Sequence, residues 1–377
     1  MKLLLVSRSI PMHPGTGGME RVSWDLAKAL GSYMTVEVLT TSVPGSPQSF
    51  AHDGVNVATI PKSSPGRYSF AWWIGTGLYA KAKEFDAVIS VSGGATAMIH
   101  FQKGPSYTFQ AHGTALGELK NALRVRSGLW PLKALRYAYW TCLDSFTYRR
   151  VDKVVAASAQ VCDFLQKWPY SGAWSKTKLQ VIRNAVDTSF FSFSAVRRRQ
   201  VRQRLGLTDQ DIVAVTVSRL DLQKGVDRVL AALGRSLGGV KLVVGGTGPE
   251  EQSLKGMSDG RVQFLGDLDR DGVRDALAAG DVFILPVRNF AREALPLSVL
   301  EALASGLPVI VPVESKWPAD LVPLLEFVDV SNDVALSEAI ARCGKSPATK
   351  SRLPSGYSLD QWANEYANSQ QSTATQQ

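Results

Sequence analysis

Short apolar segments alternate with segments of helical periodicity along this chain of 377 residues. The first five apolar segments read KLLLVSRS, TVEVLTT, VNVATIP, FDAVISVSG and DKVVAAS. They are short, rich in Val, Leu or Ile and bounded by turn-forming residues, which is typical of buried strands. Because helical patterns such as residues 20–33 lie between several of them, the order predicts an α/β fold with a parallel sheet and helices on both faces.

The same alternation starts again after the segment VIRNAVDTSFF. The second set of predicted strands reads DIVAVTVSRL, VKLVVGG, RVQFLGD, DVFILPV and LPVIVPV, with helical patterns between them. We therefore predict two doubly wound, Rossmann-like domains, residues 1–187 and 188–357, followed by an amphipathic helix over residues 358–370. Sheets of this kind bind ligands beyond the carboxyl ends of their strands, so two facing units predict a cleft that holds a ligand.

The composition is that of a globular protein, with 45% apolar and 20% charged residues. No apolar run approaches the roughly 18 residues of a transmembrane helix, and the start MKLLLVSRSIP lacks the long core and cleavage site of a signal peptide. The cysteines Cys142, Cys162 and Cys343 fit neither a metal spacing nor a disulfide framework. We therefore expect buried or partly buried thiols in a cytoplasmic protein.

The net charge of +9 lies entirely in the first half of the chain. Residues 1–187 hold 21 Lys and Arg against 11 Asp and Glu, whereas residues 188–377 hold 21 against 22. Residues 119–153 carry eight Lys or Arg, two acids and interleaved Trp and Tyr. This combination favours a face that lies on an anionic membrane, to which the apolar residues 68–79 would add a contact. The alternative is a buried helix with a solvated basic face.

In the second half, the segment SRLDLQKGVDRVL places two cations between a predicted strand and a predicted helix. Arg219 ends the strand and Lys224 precedes Gly225. Cations at a strand end, beside a helix N-terminus, are suited to bind a diphosphate. The alternative is an exposed loop with incidental charges.

The segment EALPLSVLE brackets an apolar run with two acids, Glu293 and Glu301. Pro296 fits the first turn of a helix that ends at Gly306, so Glu293 lies in the preceding loop and Glu301 more than one turn inside the helix. A carboxylate there can accept two hydrogen bonds from a ribose diol, and Glu293 would lie beside a sugar. The alternative is that Glu301 pairs with an arginine and Glu293 is solvated.

Two segments of the first half also place candidate ligand contacts beside predicted strands. Gly17 and Gly18 lie in a Gly/Pro-rich loop before a helix, where the backbone can approach a phosphate. His112 follows another predicted strand in the segment FQAHGT, although a lone histidine is more often structural.

Together these residues resemble the retaining glycosyltransferases of family 4 (glycosyltransferase group 1), which have the GT-B fold. The resemblance extends over nearly the whole chain and is strongest over residues 213–313. It is carried by the segments VSRLDLQKGVDRVL, LVVGGTGPEEQSL, VQFLGDL, AGDVFILPV and EALPLSVLEALASGLPVIVP, in the family's order. GGMERV, AHGT and VIRNAVDTSFF extend it into the first half.

The resemblance implies roles for these positions. Arg219 and Lys224 would hold the donor diphosphate and act in catalysis. Glu301 would hold the ribose hydroxyls, and Glu293 would lie over the reacting sugar with a catalytic role. Ala294 stands where the family commonly has glycine and limits the turn beside the sugar. The donor site would further include Val262 and Phe264 beside the base, and Leu295, Pro296 and Leu297.

The resemblance likewise implies roles in the acceptor-side domain, residues 1–187. Gly17 and Gly18 would face the phosphates and the acceptor, and His112 would touch the transferred sugar with a catalytic role. The last helix, around Trp362, would pack back on this domain.

The implied enzyme is a hexosyltransferase that moves a sugar from a nucleoside-diphosphate sugar to a hydroxyl of a glycan or lipid-linked acceptor, in bacterial cell-envelope polysaccharide or lipopolysaccharide synthesis. The nucleotide sugar is a co-substrate, and no cofactor or metal is expected, because Arg219 and Lys224 would stabilise the leaving diphosphate. We expect a cytoplasmic protein, peripheral on the inner face of the plasma membrane. The alternatives are a same-fold sugar-nucleotide epimerase and a nucleic-acid-binding protein; since no nucleic-acid-binding module is recognised, no nucleic-acid partner is expected.

Overall fold

The computed structural model describes residues 1–14, 17–79, 85–101, 104–125, 129–173, 178–235, 239–290, 295–346 and 350–374. The chain divides into two units, Met1–Asn184 with Leu359–Gln377, and Ala185–Ser358. The division falls between residues 184 and 185, whereas we predicted it between 187 and 188.

The first unit is built on one sheet with helices between its strands. Its described strands are β1 (Lys2–Val6), β2 (Thr35–Thr41), β3 (Ser49–His52), β4 (Val55–Ile60), β5 (Ala87–Val91), β6 (Ser106–Ala111), β7 (Lys153–Ala156) and β8 (Lys178–Val181). Its helices before residue 184 are α1 (Gly18–Leu30), α2 (Phe70–Gly77), α3 (Thr96–Phe101), α4 (Ala115–Val125), α5 (Trp130–Tyr148) and α6 (Ala159–Leu165).

The strand order in this sheet is β3-β4-β2-β1-β5-β6-β7-β8. The β3–β4 pair is antiparallel and the other neighbours are parallel. Leu3, Leu4 and Leu5 of β1 are fully buried, as expected for a central strand covered on both faces. The order reverses between β1 and β5, so the carboxyl ends of these two strands flank the position where such sheets bind ligands.

The second unit contains the other six strands. They are β9 (Ile212–Val217), β10 (Val240–Gly245), β11 (Val262–Phe264), β12 (Val282–Ile284), β13 (Val309–Pro312) and β14 (Leu325–Val328). Its described helices are α7 (Ala195–Arg204), α8 (Val226–Arg235), α9 (Glu251–Met257), α10 (Arg270–Ala279), α11 (Leu297–Ala304) and α12 (Asp333–Cys343).

This second sheet is parallel throughout, in the order β11-β10-β9-β12-β13-β14. Alternate residues of each strand join different cores. Val213 and Val215 of β9 pack in one apolar cluster with α10 and α11, whereas Ala214 packs with α8 and α12 in another. Both faces are therefore covered, and the order reverses between β9 and β12.

Helix α13 (Leu359–Ala374) belongs to the first unit. Trp362 and Tyr366 are buried, and the Tyr366 hydroxyl accepts a hydrogen bond of 2.8 Å from Gln110 Nε2 in β6. Ser369 accepts another, of 3.0 Å, from the buried Nζ of Lys153 in β7. These buried polar contacts attach the end of the chain to the first sheet.

Candidate functional site

Four neighbouring strands of the second sheet place the donor-site candidates along one edge. Arg219 follows β9, and the loop before α11 follows β12, so these segments flank the point where the strand order reverses. Phe264 ends β11 and is separated from β9 by β10. Because the strands are parallel, all of their carboxyl ends lie at this edge, where doubly wound sheets bind ligands.

The segment that carries Arg219 packs against the glycine-containing turn after β10 and forms hydrogen bonds with it. Leu220 N–H donates to Thr247 O at 2.9 Å, and Leu220 O accepts from Glu250 N–H at 3.0 Å. Gly246 has a φ of +116°, and a Cβ added there would lie 2.0 Å from Ser218 O. Glycine at 246 is therefore required by close backbone packing, and this packing fixes the path of the chain at Arg219.

The Arg219 side chain is oriented by Asp221, which sequence reasoning missed. Its Nε and Nη2 donate to Asp221 Oδ2 at 3.0 and 2.7 Å, while 75% of the arginine side chain is exposed. Asp221 Oδ1 also accepts from Lys224 N–H at 3.2 Å, at the start of a 3₁₀ turn. One carboxylate thus holds both the guanidinium and the turn that carries Lys224.

The loops after β9 and β12 touch directly beside Lys224. Gly225 has a φ of +70°, and a Cβ added there would lie 2.1 Å from Pro286 O. Arg288 N–H donates to Gln223 O at 2.9 Å, and the Arg288 side chain pairs with Asp227 and donates to Leu222 O. Arg288 therefore connects the two loops.

Helix α11 begins at Leu297, and Pro296 is its N-cap residue rather than a residue of its first turn. Glu301 is the fifth residue of this helix and is 4% exposed. Leu295 is buried in the apolar core, so we expect its main chain rather than its side chain to contact a donor. Leu297 is partly buried against the same core.

Two of the predicted donor contacts, Glu293 and Ala294, lie outside the described residues. Val262 and Phe264 lie in the edge strand β11 and are partly buried. The Lys255 Nζ atom stands 5.8 Å from the centre of the Phe264 ring.

The first unit places Gly17 at the N-cap of α1 and Gly18 as the first residue of that helix. Glu20 Oε2 accepts the Gly17 N–H at 3.0 Å, so a carboxylate of the protein itself occupies this helix N-terminus. A Cβ on Gly17 would meet only Glu20 Oε2, at an ordinary 3.7 Å, and its φ of −130° suits any residue. The fold alone does not require glycine at position 17.

His112 follows β6 and lies just before α4. Burial lowers its pKa to about 4, and its buried Nε2 has no hydrogen-bond partner among the described residues. Burial also raises the pKa of Asp144, in α5, to about 7, while that carboxyl accepts a hydrogen bond from the Ala115 backbone at the start of α4. At neutral pH His112 is uncharged, so it can exchange hydrogen bonds with a sugar hydroxyl but does not supply a positive charge.

No cluster of three or more His, Cys, Asp or Glu side chains suited to a metal occurs among the described residues. Aspartates separated by one residue do occur at 209–211 and 267–271. Asp211 pairs with Lys241 at 3.1 Å, Asp269 accepts from Gly272 N–H at the start of α10, and Asp271 pairs with Arg274. Asp211, Asp269 and Asp271 are therefore used within the fold.

Helix α5 exposes an apolar stripe along the basic segment of the first unit. Leu132, Leu135, Tyr139 and Phe146 are 62%, 70%, 64% and 58% exposed, and their spacing puts them on one helix face. Lys133 and Arg136 are exposed on the same helix. Because Thr141, Thr147 and Tyr148 of this helix are buried, α5 has the solvated basic face of the alternative and, in addition, an exposed apolar stripe.

Two other expectations have a simple outcome. Cys142 is exposed, so the expectation of buried or partly buried thiols holds only for Cys162 and Cys343. Within the described ranges, none of the helices has the length and apolar character needed to cross a bilayer.

Comparison with known families places most of the chain in two adjacent family models. Residues 16–190 match the model "Glycosyltransferase Family 4", and residues 197–355 match "Glycosyl transferases group 1". The chain is also 30% identical over 163 residues to a GDP-mannose-dependent monoacylated alpha-(1-6)-phosphatidylinositol monomannoside mannosyltransferase of Corynebacterium glutamicum. That alignment covers 40% of this chain and 43% of the relative, and other curated relatives are also matched over less than half of their own length.

Solved structures resemble the chain over its full length. The sucrose-phosphate synthase of Thermosynechococcus elongatus is 17% identical with a TM-score of 0.74, covering 100% of this chain and 96% of that one. Anabaena HepE, solved in complex with UDP-glucose, is 19% identical with a TM-score of 0.65, covering 100% and 97%. At these identities the likeness shows the fold alone, and that fold is GT-B.

Proposed function

Because this chain belongs to the family 4 glycosyltransferases and has their GT-B fold, we propose that it is a retaining hexosyltransferase. It moves a hexose-type sugar from a nucleoside-diphosphate sugar to a hydroxyl of a glycan or lipid-linked acceptor. The name of the C. glutamicum relative, a lipid mannosyltransferase, and the UDP-glucose bound to HepE support the choice of both substrates.

The observation that carries this proposal is the arrangement at the carboxyl edge of the second sheet. Arg219 and Lys224 follow β9 directly before the N-terminus of α8, and the buried acid Glu301 lies on the helix that follows β12. Cations and a helix N-terminus suit a diphosphate, and a carboxylate suits a ribose diol. Since β9 and β12 are neighbours, both parts of a nucleotide sugar would bind at one edge.

The chemistry follows from these charges. The bond between the anomeric carbon and the diphosphate oxygen breaks, and the Arg219 and Lys224 charges stabilise the negative charge on the leaving group. The acceptor oxygen forms the new bond on the same face of the sugar, and its proton passes to the departing phosphate oxygen. His112, uncharged at neutral pH, would contact a hydroxyl of the transferred sugar. No metal is required for this scheme.

The proposal includes the anionic surface of a membrane as a partner, through the stripe of Leu132, Leu135, Tyr139 and Phe146 on α5. Exposed apolar side chains beside Lys133 and Arg136 suit the headgroup region of an anionic bilayer. This placement fits a peripheral enzyme on the inner face of the plasma membrane that uses a lipid-linked acceptor for cell-envelope polysaccharide or lipopolysaccharide synthesis.

Vesicle flotation tests the membrane contact. Wild-type protein should float with vesicles that contain phosphatidylglycerol and not with phosphatidylcholine vesicles. Leu135→Ser with Tyr139→Ser should reduce that flotation, whereas Val334→Ser, an exposed apolar residue of the second unit, should not. Equal flotation with both vesicle types would contradict this part of the proposal.

Transfer itself is tested with labelled nucleotide sugars and membrane extracts as the source of acceptor. Wild-type protein should label a lipid or glycan fraction, and the product should keep the anomeric configuration of the donor. Glu301→Gln should reduce labelling sharply, whereas Glu338→Gln, an exposed acid on α12, should not. An epimerised nucleotide sugar that forms without any acceptor would instead identify a sugar-nucleotide epimerase.

A further inference from the structure

A cavity of about 520 Å³ lies at the carboxyl edge of the first sheet. Its lining includes Arg8 and Ser9 after β1, Glu20 in the first turn of α1, and Ser64, Gly66 and Arg67 in the loop after β4. This edge is where doubly wound sheets bind ligands, and the volume lies within the ~300–1,000 Å³ of small-molecule sites. Gly17, Gly18 and His112 are not among its described lining residues.

Two arginines give the cavity a positive charge. Arg8 is partly exposed and Arg67 is exposed; among the described side chains, no carboxylate forms an ion pair with either. The one acid in the lining, Glu20, accepts the Gly17 N–H at 3.0 Å and lies in the first turn of α1. The helix N-terminus offsets part of its negative charge, so the lining keeps a net positive charge from two guanidinium groups against one carboxylate.

Arg8 is held in place before any ligand binds. Its Nη1 donates to Gly66 O at 3.2 Å, and its guanidinium carbon lies 5.2 Å from the centre of the Tyr68 ring. Thr41 Oγ1 donates to Arg8 O and accepts from Gly66 N–H, each at 2.8 Å. A single buried hydroxyl thus fixes the strand end and the loop that together form the cavity.

His13 forms a hydrogen bond with this Thr41 hydroxyl. Ile10 N–H donates to His13 Nδ1 at 3.1 Å, so the proton of the neutral ring is assigned to Nε2, which lies 2.9 Å from Thr41 Oγ1. Burial lowers the pKa of His13, which keeps the ring in this neutral form. A buried hydrogen-bond network of Thr41, His13 and Gly66 therefore holds the Arg8 guanidinium in place, as a preorganised binding site requires.

Aromatic contacts connect this cavity with the exposed stripe of α5. The Tyr68 ring, below Arg8, lies 5.9 Å from the Trp140 ring of α5. Trp140 in turn meets the exposed Tyr139 edge to face at 6.0 Å. The exposed stripe of α5 and the two arginines of the cavity therefore lie in the same unit, so one acceptor could contact both.

We propose that this cavity binds a phosphate group carried by the acceptor, an inference that rests on the proposed glycosyl transfer. An arginine fork pairs with phosphate oxygens through parallel N–H···O bonds, and two arginines match the charge of about −1.5 to −2 of a phosphate monoester. The phosphate belongs either to a soluble sugar phosphate or to a lipid headgroup. Arg8 and Arg67 select acceptors that carry it over neutral ones.

The test measures binding of glucose 6-phosphate, glucuronate and glucose by calorimetry. Wild-type protein should bind glucose 6-phosphate most tightly and glucose most weakly. Arg67→Gln, at an exposed position, and Arg8→Gln should each weaken glucose 6-phosphate binding about tenfold or more, as for loss of a charge-assisted hydrogen bond. Lys62→Gln removes the same charge from an exposed position in the same loop and should change binding less than about twofold.

A lipid arm uses vesicles of phosphatidylcholine with and without phosphatidic acid. Loss of phosphatidic-acid-dependent flotation in Arg67→Gln assigns the phosphate to a lipid, and loss of glucose 6-phosphate binding alone assigns it to a soluble sugar. If neither is lost, or if glucose binds as tightly as glucose 6-phosphate, the proposal is overturned. Displacement of glucose 6-phosphate by UDP, GDP or ADP would also overturn it, since the cavity would then serve the donor. Arginine-dependent phosphate binding without any nucleotide-sugar binding would instead contradict only the proposed transferase function.

Discussion

Gly225→Ala tests whether the loops after β9 and β12 are held together by backbone packing. The φ of +70° costs a residue with a Cβ about 1–2 kcal/mol. The added Cβ would lie 2.1 Å from Pro286 O, and relieving such an overlap costs about 1–3 kcal/mol more. We therefore expect the free energy of unfolding to fall by roughly 2–5 kcal/mol, with a Tm lowered by roughly 4–20 °C.

The backbone displacement that relieves this overlap would move Lys224 away from the loop that leads to α11. Nucleotide affinity should therefore fall as well. Calorimetry measures both effects, and Gly234→Ala is the matched control. Gly234 lies within α8, nothing lies within 4 Å of a Cβ added there, and alanine should stabilise the helix by about 0.5–1 kcal/mol. A Gly225→Ala protein with wild-type Tm and wild-type nucleotide affinity would refute the close contact of the two loops.

Further predictions concern the first unit. Because burial raises the pKa of Asp144 to about 7, the folded state should lose stability as pH rises from about 4 to 7. Asp144→Asn should therefore be more stable than wild type at pH 8 by roughly 2–4 kcal/mol, and equally stable near pH 4. His112, with its pKa lowered to about 4, should contribute the opposite slope, with stability lost as pH falls from about 6.5 to 4, and His112→Phe should remove it in denaturant titrations. Tyr366→Phe removes the hydroxyl that accepts from Gln110 and should cost about 1–3 kcal/mol, measured by urea unfolding.

The fold was largely predictable because its central strands are buried on both faces. Segments such as KLLLV and IVAVTV are continuous apolar runs, and their spacing with helices leaves few alternatives to a doubly wound sheet. The strands that were missed, β3, β8 and β14, are four-residue strands at the edges of the sheets. Polar residues interrupt β3 (SFAH) and β8 (KLQV), and an acid interrupts the apolar residues of β14 (LEFV).

The positions of the candidate donor-site residues in the fold were predictable from the sequence, and their contacts were less so. Arg219 and Lys224 were located from a strand end and a helix start, which local sequence defines. Asp221 orients the Arg219 side chain and holds the turn that carries Lys224, but the sequence signal, an acid two residues after an arginine, is too common to identify it. The Glu20 contact with Gly17 is a local helix-capping interaction between residues three apart. The burial of Leu295 and the exposure of the α5 stripe depend on tertiary packing and had no local signal.

The most direct test of the account is nucleotide-sugar binding by the second unit. A thermal-shift screen of the full chain against UDP, GDP, ADP and their sugars should reveal one preferred base, with the nucleotide sugar raising the Tm. Lys224→Ala and Glu301→Gln should each weaken that binding about tenfold or more while Glu338→Gln leaves it unchanged. Unchanged affinity in both variants, or no stabilisation of the wild type by any of these nucleotides or their sugars, would contradict the assignment of a donor site to this edge of the sheet.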